Sequence, residues 1–101
     1  MDNRLEVKLK IYKELKVAFQ TVEEQIKEVQ FTKEELAVKR ELYEKCLEEH
    51  LLDEGGSMVK VHLEENQEAA KACEEKLSKL LSQRDAYRIE IESYEQFMRD
   101  V

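Results

Sequence analysis

Proline and tryptophan are absent from this chain of 101 residues, and glycine occurs only twice. Turns and loops depend on glycine and proline, because these residues adopt or fix the backbone angles that chain reversals need. A globular domain with many loops is therefore not expected. The length allows one domain at most, and we expect a single domain over residues 1–101.

Cysteine is also scarce, since Cys46 and Cys73 are the only two. Two cysteines do not form a disulfide framework. The sequence shows no secretory leader, no prenylation motif, and no apolar run near the ~20 residues that a membrane span requires. We therefore expect an intracellular protein, cytoplasmic or nuclear, without a membrane span.

Basic residues are outnumbered, and the formal net charge is −7. The excess is concentrated in residues 44–68, which contain eight acidic and two basic residues. Nucleic-acid binding relies on Lys and Arg to neutralise phosphates, so we expect no nucleic-acid partner. The acidic middle of the chain either attracts a basic partner or keeps an exposed turn solvated.

Most of the sequence consists of Glu, Lys, Leu, Ala, Gln and Arg, and 41% of the residues are charged. These residue types lose the least free energy in a helix. A disordered chain can have the same charge content, but it would lack an ordered spacing of apolar residues. The composition therefore predicts long helices.

Apolar residues recur along both halves of the chain in alternating steps of four and three. In the first half the positions are Leu5, Lys8, Tyr12, Leu15, Phe19, Val22, Ile26, Val29, Lys33, Leu36, Arg40, Tyr43, Leu47 and His50. In the second half they are Val59, Leu63, Asn66, Ala70, Cys73, Leu77, Leu80, Arg84, Tyr87, Ile91, Tyr94, Met98 and Val101. A period of about 3.5 residues predicts that each half packs against a partner helix as a left-handed coiled coil.

Leu47 and Leu63 occupy equivalent positions of the two stripes, but they lie 16 residues apart, two more than a multiple of seven. The two stripes are therefore out of register. The mismatch falls at the two glycines, and each glycine destabilises a helix interior by about 1 kcal/mol. We predict helices over residues 3–53 and 58–99 and a turn at residues 54–57, with Ser57 as the next N-cap. The predicted fold is all-α, an antiparallel two-helix coiled-coil hairpin that oligomerises into a helical bundle.

A three-helix bundle is the alternative fold, because residues 31–36 resemble a helix start. Thr32 and Glu35 have the spacing of a capping box, and Phe31 and Leu36 that of a hydrophobic staple. If these signals were obeyed, the first helix would break near Thr32. The heptad pattern runs through the segment without interruption, which favours two helices.

Candidates for chemistry are few. Cys46, His50 and His62 could approach one another as zinc ligands, but the sequence has no CxxC or HxxxH pair, and we expect no metal and no cofactor. It contains neither a glycine-rich phosphate loop nor a nucleophile elbow, and a two-helix seam offers no concave pocket. We therefore expect no enzymatic activity.

Polar residues interrupt the apolar stripes at five positions. They are Lys8, Lys33, Arg40, Asn66 and Arg84. A polar residue in a core position of a coiled coil lowers stability but can fix the register of the helices. We expect Arg40 and Asn66 to meet as a polar layer in one plausible alignment.

Several apolar residues lie outside the stripes, where a two-helix seam cannot bury them. Near the termini these are Val7, Leu9, Ile11, Ile89 and Phe97, and in the middle of the first helix they are Phe31, Val38 and Leu42. Adjoining exposed apolar residues usually mark an interface. They are otherwise merely tolerated, or they belong to a longer coiled coil.

These residues predict a non-catalytic interaction or scaffold module that oligomerises or joins a larger complex. The expected partner-binding residues are Leu9, Ile11, Phe31, Val38, Leu42, Ile89 and Phe97. The expected partner is a second copy, forming a homodimeric four-helix bundle, or another coiled-coil subunit. The alternatives are a small helical chaperone that shields a client protein and a helix-pair effector of a small GTPase.

Overall fold

The computed structural model describes residues 3–99, which form two long helices and no strand. Helix α1 spans Asn3–Glu49, and helix α2 spans Glu54–Arg99. Residues 50–53 connect them. The all-α helical hairpin predicted from the heptad stripes is confirmed. The last position of the second stripe, Val101, lies outside the described residues.

Contacts divide the chain into two compact units, each of which contains a segment of both helices. Unit 1 joins the chain up to Lys27 with the chain from Lys79 onward, and unit 2 is Glu28–Ser78. The single domain expected over residues 1–101 stays a prediction.

In unit 1 the two helix segments run antiparallel. The Lys8 ammonium lies over the Phe97 ring, and Tyr12 lies against Tyr94 and Glu95, so positions later in α1 meet positions earlier in α2. The buried apolar side chains of this unit are Val22, Ile26 and Leu80. All three belong to the predicted stripes, which therefore form the seam of unit 1.

In unit 2 the antiparallel order is also visible in the contacts. Lys33 approaches Glu74, Leu36 contacts Asn66, and the Tyr43 ring lies beside the His62 ring. Val29 and Asn66 are its buried large side chains.

Most positions of the heptad stripes are buried or half-buried. Every described member of the second stripe is buried or half-buried. In the first stripe four members are exposed: Leu5, Lys33, Arg40 and His50. Long cationic side chains at the edge of a two-helix seam can reach water, which accounts for Lys33 and Arg40.

Helix α1 continues without a break through Thr32, so the three-helix alternative is wrong. The Thr32 hydroxyl donates a hydrogen bond to the carbonyl of Glu28, 3.1 Å away, and does not cap a new helix. Thr21 makes the same contact with Val17, at 2.9 Å. A threonine inside a helix has a carbonyl four residues earlier within reach, so its hydroxyl is satisfied without a helix start.

The chain reverses at residues 50–53, and the turn predicted at residues 54–57 is wrong. Gly55 and Gly56 lie in the first turn of α2, and no residue in 3–99 has the positive φ that glycine favours. Gly56 is needed for space instead, because a Cβ there would collide with the carbonyl oxygen of His50. The residue before α2 is Asp53, whose carbonyl accepts the Gly56 amide at 3.0 Å, so Ser57 is not the N-cap.

Candidate interaction surfaces

Cys46, His50 and His62, the residues considered as metal ligands, do not come together as a metal site. His50 contacts the Asp53 carboxylate at 2.8 Å, and the His62 ring lies 5.7 Å from the Tyr43 ring. Cys46 is a free, half-buried thiol, as is Cys73. Within residues 3–99 the structure places no three His, Cys, Asp or Glu side chains where they could hold a metal ion.

Neither α1 nor α2, over the described part of the chain, has a stretch of the length and hydropathy that crossing a membrane requires.

An aromatic cluster, which sequence analysis did not predict, joins the helices of unit 1. The Tyr12 and Tyr94 rings stack at 6.3 Å, and the Phe97 ring lies 5.8 Å from Tyr94. The Tyr94 hydroxyl donates to the Lys8 carbonyl at 2.9 Å, and the Tyr12 hydroxyl donates to Glu95 at 3.0 Å. The buried Lys8 side chain completes the cluster, with its ammonium 4.5 Å from the centre of the Phe97 ring. Lys8, which interrupts the apolar stripe as a charged residue, thus packs against an aromatic ring.

Four of the predicted partner-binding residues lie in unit 1 and are exposed. They are Leu9, Ile11, Ile89 and Phe97. They do not form one continuous patch, because Leu9 and Ile11 differ by about 200° around α1 and therefore flank the seam on different sides. Phe97 adjoins a shallow groove in which the small Ser93 leaves room beside Tyr94. The groove thus lies next to an exposed aromatic ring.

The other three predicted residues, Phe31, Val38 and Leu42, form a line on α1 in unit 2, which we call the α1 line. All are more than half exposed, and Phe31 reaches 67%. Their spacing of seven and four residues keeps them within about 40° of one another around the helix. Phe31 and Val38 also line a shallow groove with Glu34, Glu35 and Lys39. These three residues thus lie exposed on one side of α1, as their spacing predicted.

The polar layer expected between Arg40 and Asn66 does not form. Asn66 is buried, with 5% of its surface exposed, and its amide donates to the backbone carbonyl of Leu36 at 3.0 Å. The Arg40 guanidinium pairs instead with Glu44, four residues along the same helix, at 2.9 Å. A short amide reaches only the facing backbone, whereas a long arginine reaches a solvated partner on its own helix.

Leu52, the most exposed large apolar side chain among the described residues, was not predicted as surface, and neither was its neighbour Leu51. Leu51 is 59% exposed and Leu52 is 97% exposed, both in the turn between the helices. The helix predicted over residues 3–53 includes both leucines, because the sequence predicts the turn at the glycines. The signal was the pair of adjacent leucines just past the end of the first stripe, followed by Asp53 and Glu54.

Hydrogen bonds hold this turn in a defined conformation. The His50 amide donates to the Cys46 carbonyl at 3.0 Å, and the Asp53 amide donates to the His50 carbonyl at 3.2 Å. The His50 ring contacts the Asp53 carboxylate, and Gly56 packs against the same carbonyl of His50.

Acidic residues flank the two leucines in sequence. Glu48, Glu49, Asp53 and Glu54 are all exposed, and no Lys or Arg occurs between Lys45 and Lys60. The turn therefore combines exposed apolar side chains with negative charge.

No protein-family model matches the chain, and neither a curated protein sequence nor a solved structure shows significant similarity to it.

Proposed function

We propose that this protein is a non-catalytic helical interaction module. It associates through exposed apolar helix faces with the helices of a second copy or of another helical subunit, and together they form a bundle. The proposal is supported by the small number of large apolar side chains that are buried, compared with the number that are exposed. Within residues 3–99 four large apolar side chains are buried, and fourteen are exposed.

The α1 line is the observation that carries the proposal. Residues seven and eleven positions after Phe31 return to the same side of the helix, as in the seam that joins two packed helices. A partner helix laid along α1 would cover Phe31, Val38 and Leu42 together. Burying such side chains contributes about 1.5–3 kcal/mol each, which supports association without any catalytic site.

Charged residues beside the α1 line suit a helical partner as well. Glu34, Glu35 and Lys39 line the groove with Val38, so charges of both signs lie beside the apolar residues. Flanking charges of both signs set the partner and orientation in helix pairs, and they change affinity less than the apolar residues do.

Sedimentation equilibrium of the whole chain, compared with a Phe31→Glu, Leu42→Glu double variant, tests this proposal. We expect the wild type to associate, and the variant to lose that association while keeping its helical circular dichroism. A Gln30→Glu, Thr32→Glu variant is the matched control, because it adds the same charge at exposed positions off the α1 line. Association that the double variant retains would contradict the proposal.

The chaperone alternative suits a monomeric three-helix bundle with an exposed groove. The continuous helix α1 from Asn3 to Glu49 therefore gives it less support than the helical interaction module. A wild-type chain that stays monomeric and folded in sedimentation would favour this alternative or the GTPase effector.

A further inference from the structure

We propose that the turn between α1 and α2 is a second docking surface, specific for a positively charged protein partner that has an apolar pocket. Leu51 and Leu52 are the anchors that enter the pocket. This surface is separate from the helix faces of the proposed function, and the proposal does not depend on them.

The exposure of the leucines is the first argument. Leu52 is 97% exposed and Leu51 is 59% exposed. A turn is served as well or better by Ser, Asn, Asp or Gly, which bond to the local backbone or relax its angles. Leu52 is almost wholly in solvent and adds nothing to the seam, and adjoining exposed apolar residues usually mark an interface.

The second argument is that the turn that carries the leucines has a defined conformation. Backbone hydrogen bonds of His50 and Asp53 close the turn, and their side chains contact each other at 2.8 Å. Gly56 lets the start of α2 approach the His50 carbonyl more closely than any residue with a Cβ. A segment that is ordered before binding loses less conformational entropy when a partner docks.

Charge complementarity identifies the occupant. Glu48, Glu49, Asp53 and Glu54 flank the leucines in sequence and are exposed, and the nearest basic residues in sequence are Lys45 and Lys60. Nucleic acids and anionic membranes have the same sign of charge and would be repelled. Basic side chains around an apolar pocket fit both features, because the acids steer the partner and the leucines provide the buried area.

The test uses random peptides displayed on phage, selected on the immobilised whole chain and counter-selected on a Leu51→Ser, Leu52→Ser variant. We expect the enriched peptides to combine Lys or Arg with large apolar residues. Synthesised and labelled, they should bind the wild type about tenfold more tightly than the serine variant, a difference that buried leucines can supply. Binding should weaken with added salt and in a Glu48→Gln, Glu49→Gln variant.

Two controls separate this surface from the helix faces. The Phe31→Glu, Leu42→Glu variant should bind the peptides as well as the wild type does. The serine variant should keep its helical circular dichroism, because Leu52 is almost fully exposed, and should sediment as the wild type does. A failure of the proposed function would appear only in sedimentation, and a failure of this inference only in peptide binding.

Three results would overturn the inference. One is enrichment of peptides that lack basic residues. Another is equal binding to the wild type and the serine variant, which would mean that charge alone attracts the peptides. The third is the absence of any peptide that survives counter-selection.

Discussion

The side-chain amide of Asn66 donates a hydrogen bond to the backbone carbonyl of Leu36 across the two helices of unit 2, at 3.0 Å. This contact ties one side chain of α2 to one position of α1. Since the amide is buried, sliding one helix along the other would leave it without a partner at a cost of about 1–3 kcal/mol. Asn66 therefore selects the register of the helices in this unit.

Replacing Asn66 by Leu should keep or raise the free energy of unfolding while loosening the register, because an apolar side chain fits several alignments. Spin labels at Glu34 and Lys71, with both native cysteines replaced by serine, can measure this. We expect a broader distance distribution in the leucine variant than in the asparagine parent. Equal widths would show that the amide does not select the register.

The two glycines provide a matched pair for testing the turn. Gly55→Ala should raise the free energy of unfolding by up to about 1 kcal/mol, since a Cβ there meets nothing and alanine favours a helix. Gly56→Ala should lower it by about 1–3 kcal/mol, because its Cβ would collide with the His50 carbonyl. Urea unfolding checks both values. Equal effects of the two substitutions would mean that the close approach at Gly56 is not required.

The sign of the stability change in a Thr32→Ala variant distinguishes a continuous α1 from a broken one. In a helix interior alanine is the better residue, so we expect an increase in stability of about 0.5 kcal/mol. A threonine acting as an N-cap would instead cost about 0.5–2 kcal/mol when removed. Thr21→Ala, which removes the same kind of contact, should match Thr32→Ala in thermal unfolding.

The aromatic cluster of unit 1 can be tested by removing one hydroxyl. Tyr94→Phe loses the hydrogen bond to the Lys8 carbonyl and should destabilise the protein by about 0.5–1.5 kcal/mol. Tyr87→Phe on the same helix is the control, because the Tyr87 hydroxyl has no hydrogen bond within the described residues. Similar losses of stability in the two variants would remove the energetic role assigned to this bond.

The exposed residues of unit 1 should contribute to association. A Leu9→Glu, Phe97→Glu variant is expected to weaken self-association in sedimentation equilibrium with helicity largely kept, because it places charge on faces that a partner would cover. An Asn3→Glu, Gln96→Glu variant adds the same charge at exposed polar positions and should behave as the wild type. If the first variant associates normally, the interface lies elsewhere.

Sequence alone was sufficient for the features that follow from helical periodicity. The steps of four and three identified the seam that contains Val22, Ile26 and Leu80, and they identified the α1 line as surface. Both follow because, in a helix, the position of a residue in the sequence determines the side of the helix on which it lies. That these exposed residues bind a partner stays a prediction.

Only the tertiary structure decided the features that depend on two segments meeting. The turn lies before the glycines because backbone hydrogen bonds of His50 and Asp53 close it there. Position 56 requires glycine because the His50 carbonyl lies too close for a Cβ. Likewise, the partner of Asn66 is a backbone atom of Leu36, which no side-chain pattern reveals. Periodicity specifies the face of a helix on which a residue lies, whereas the atoms opposite that face depend on where the chain turns back.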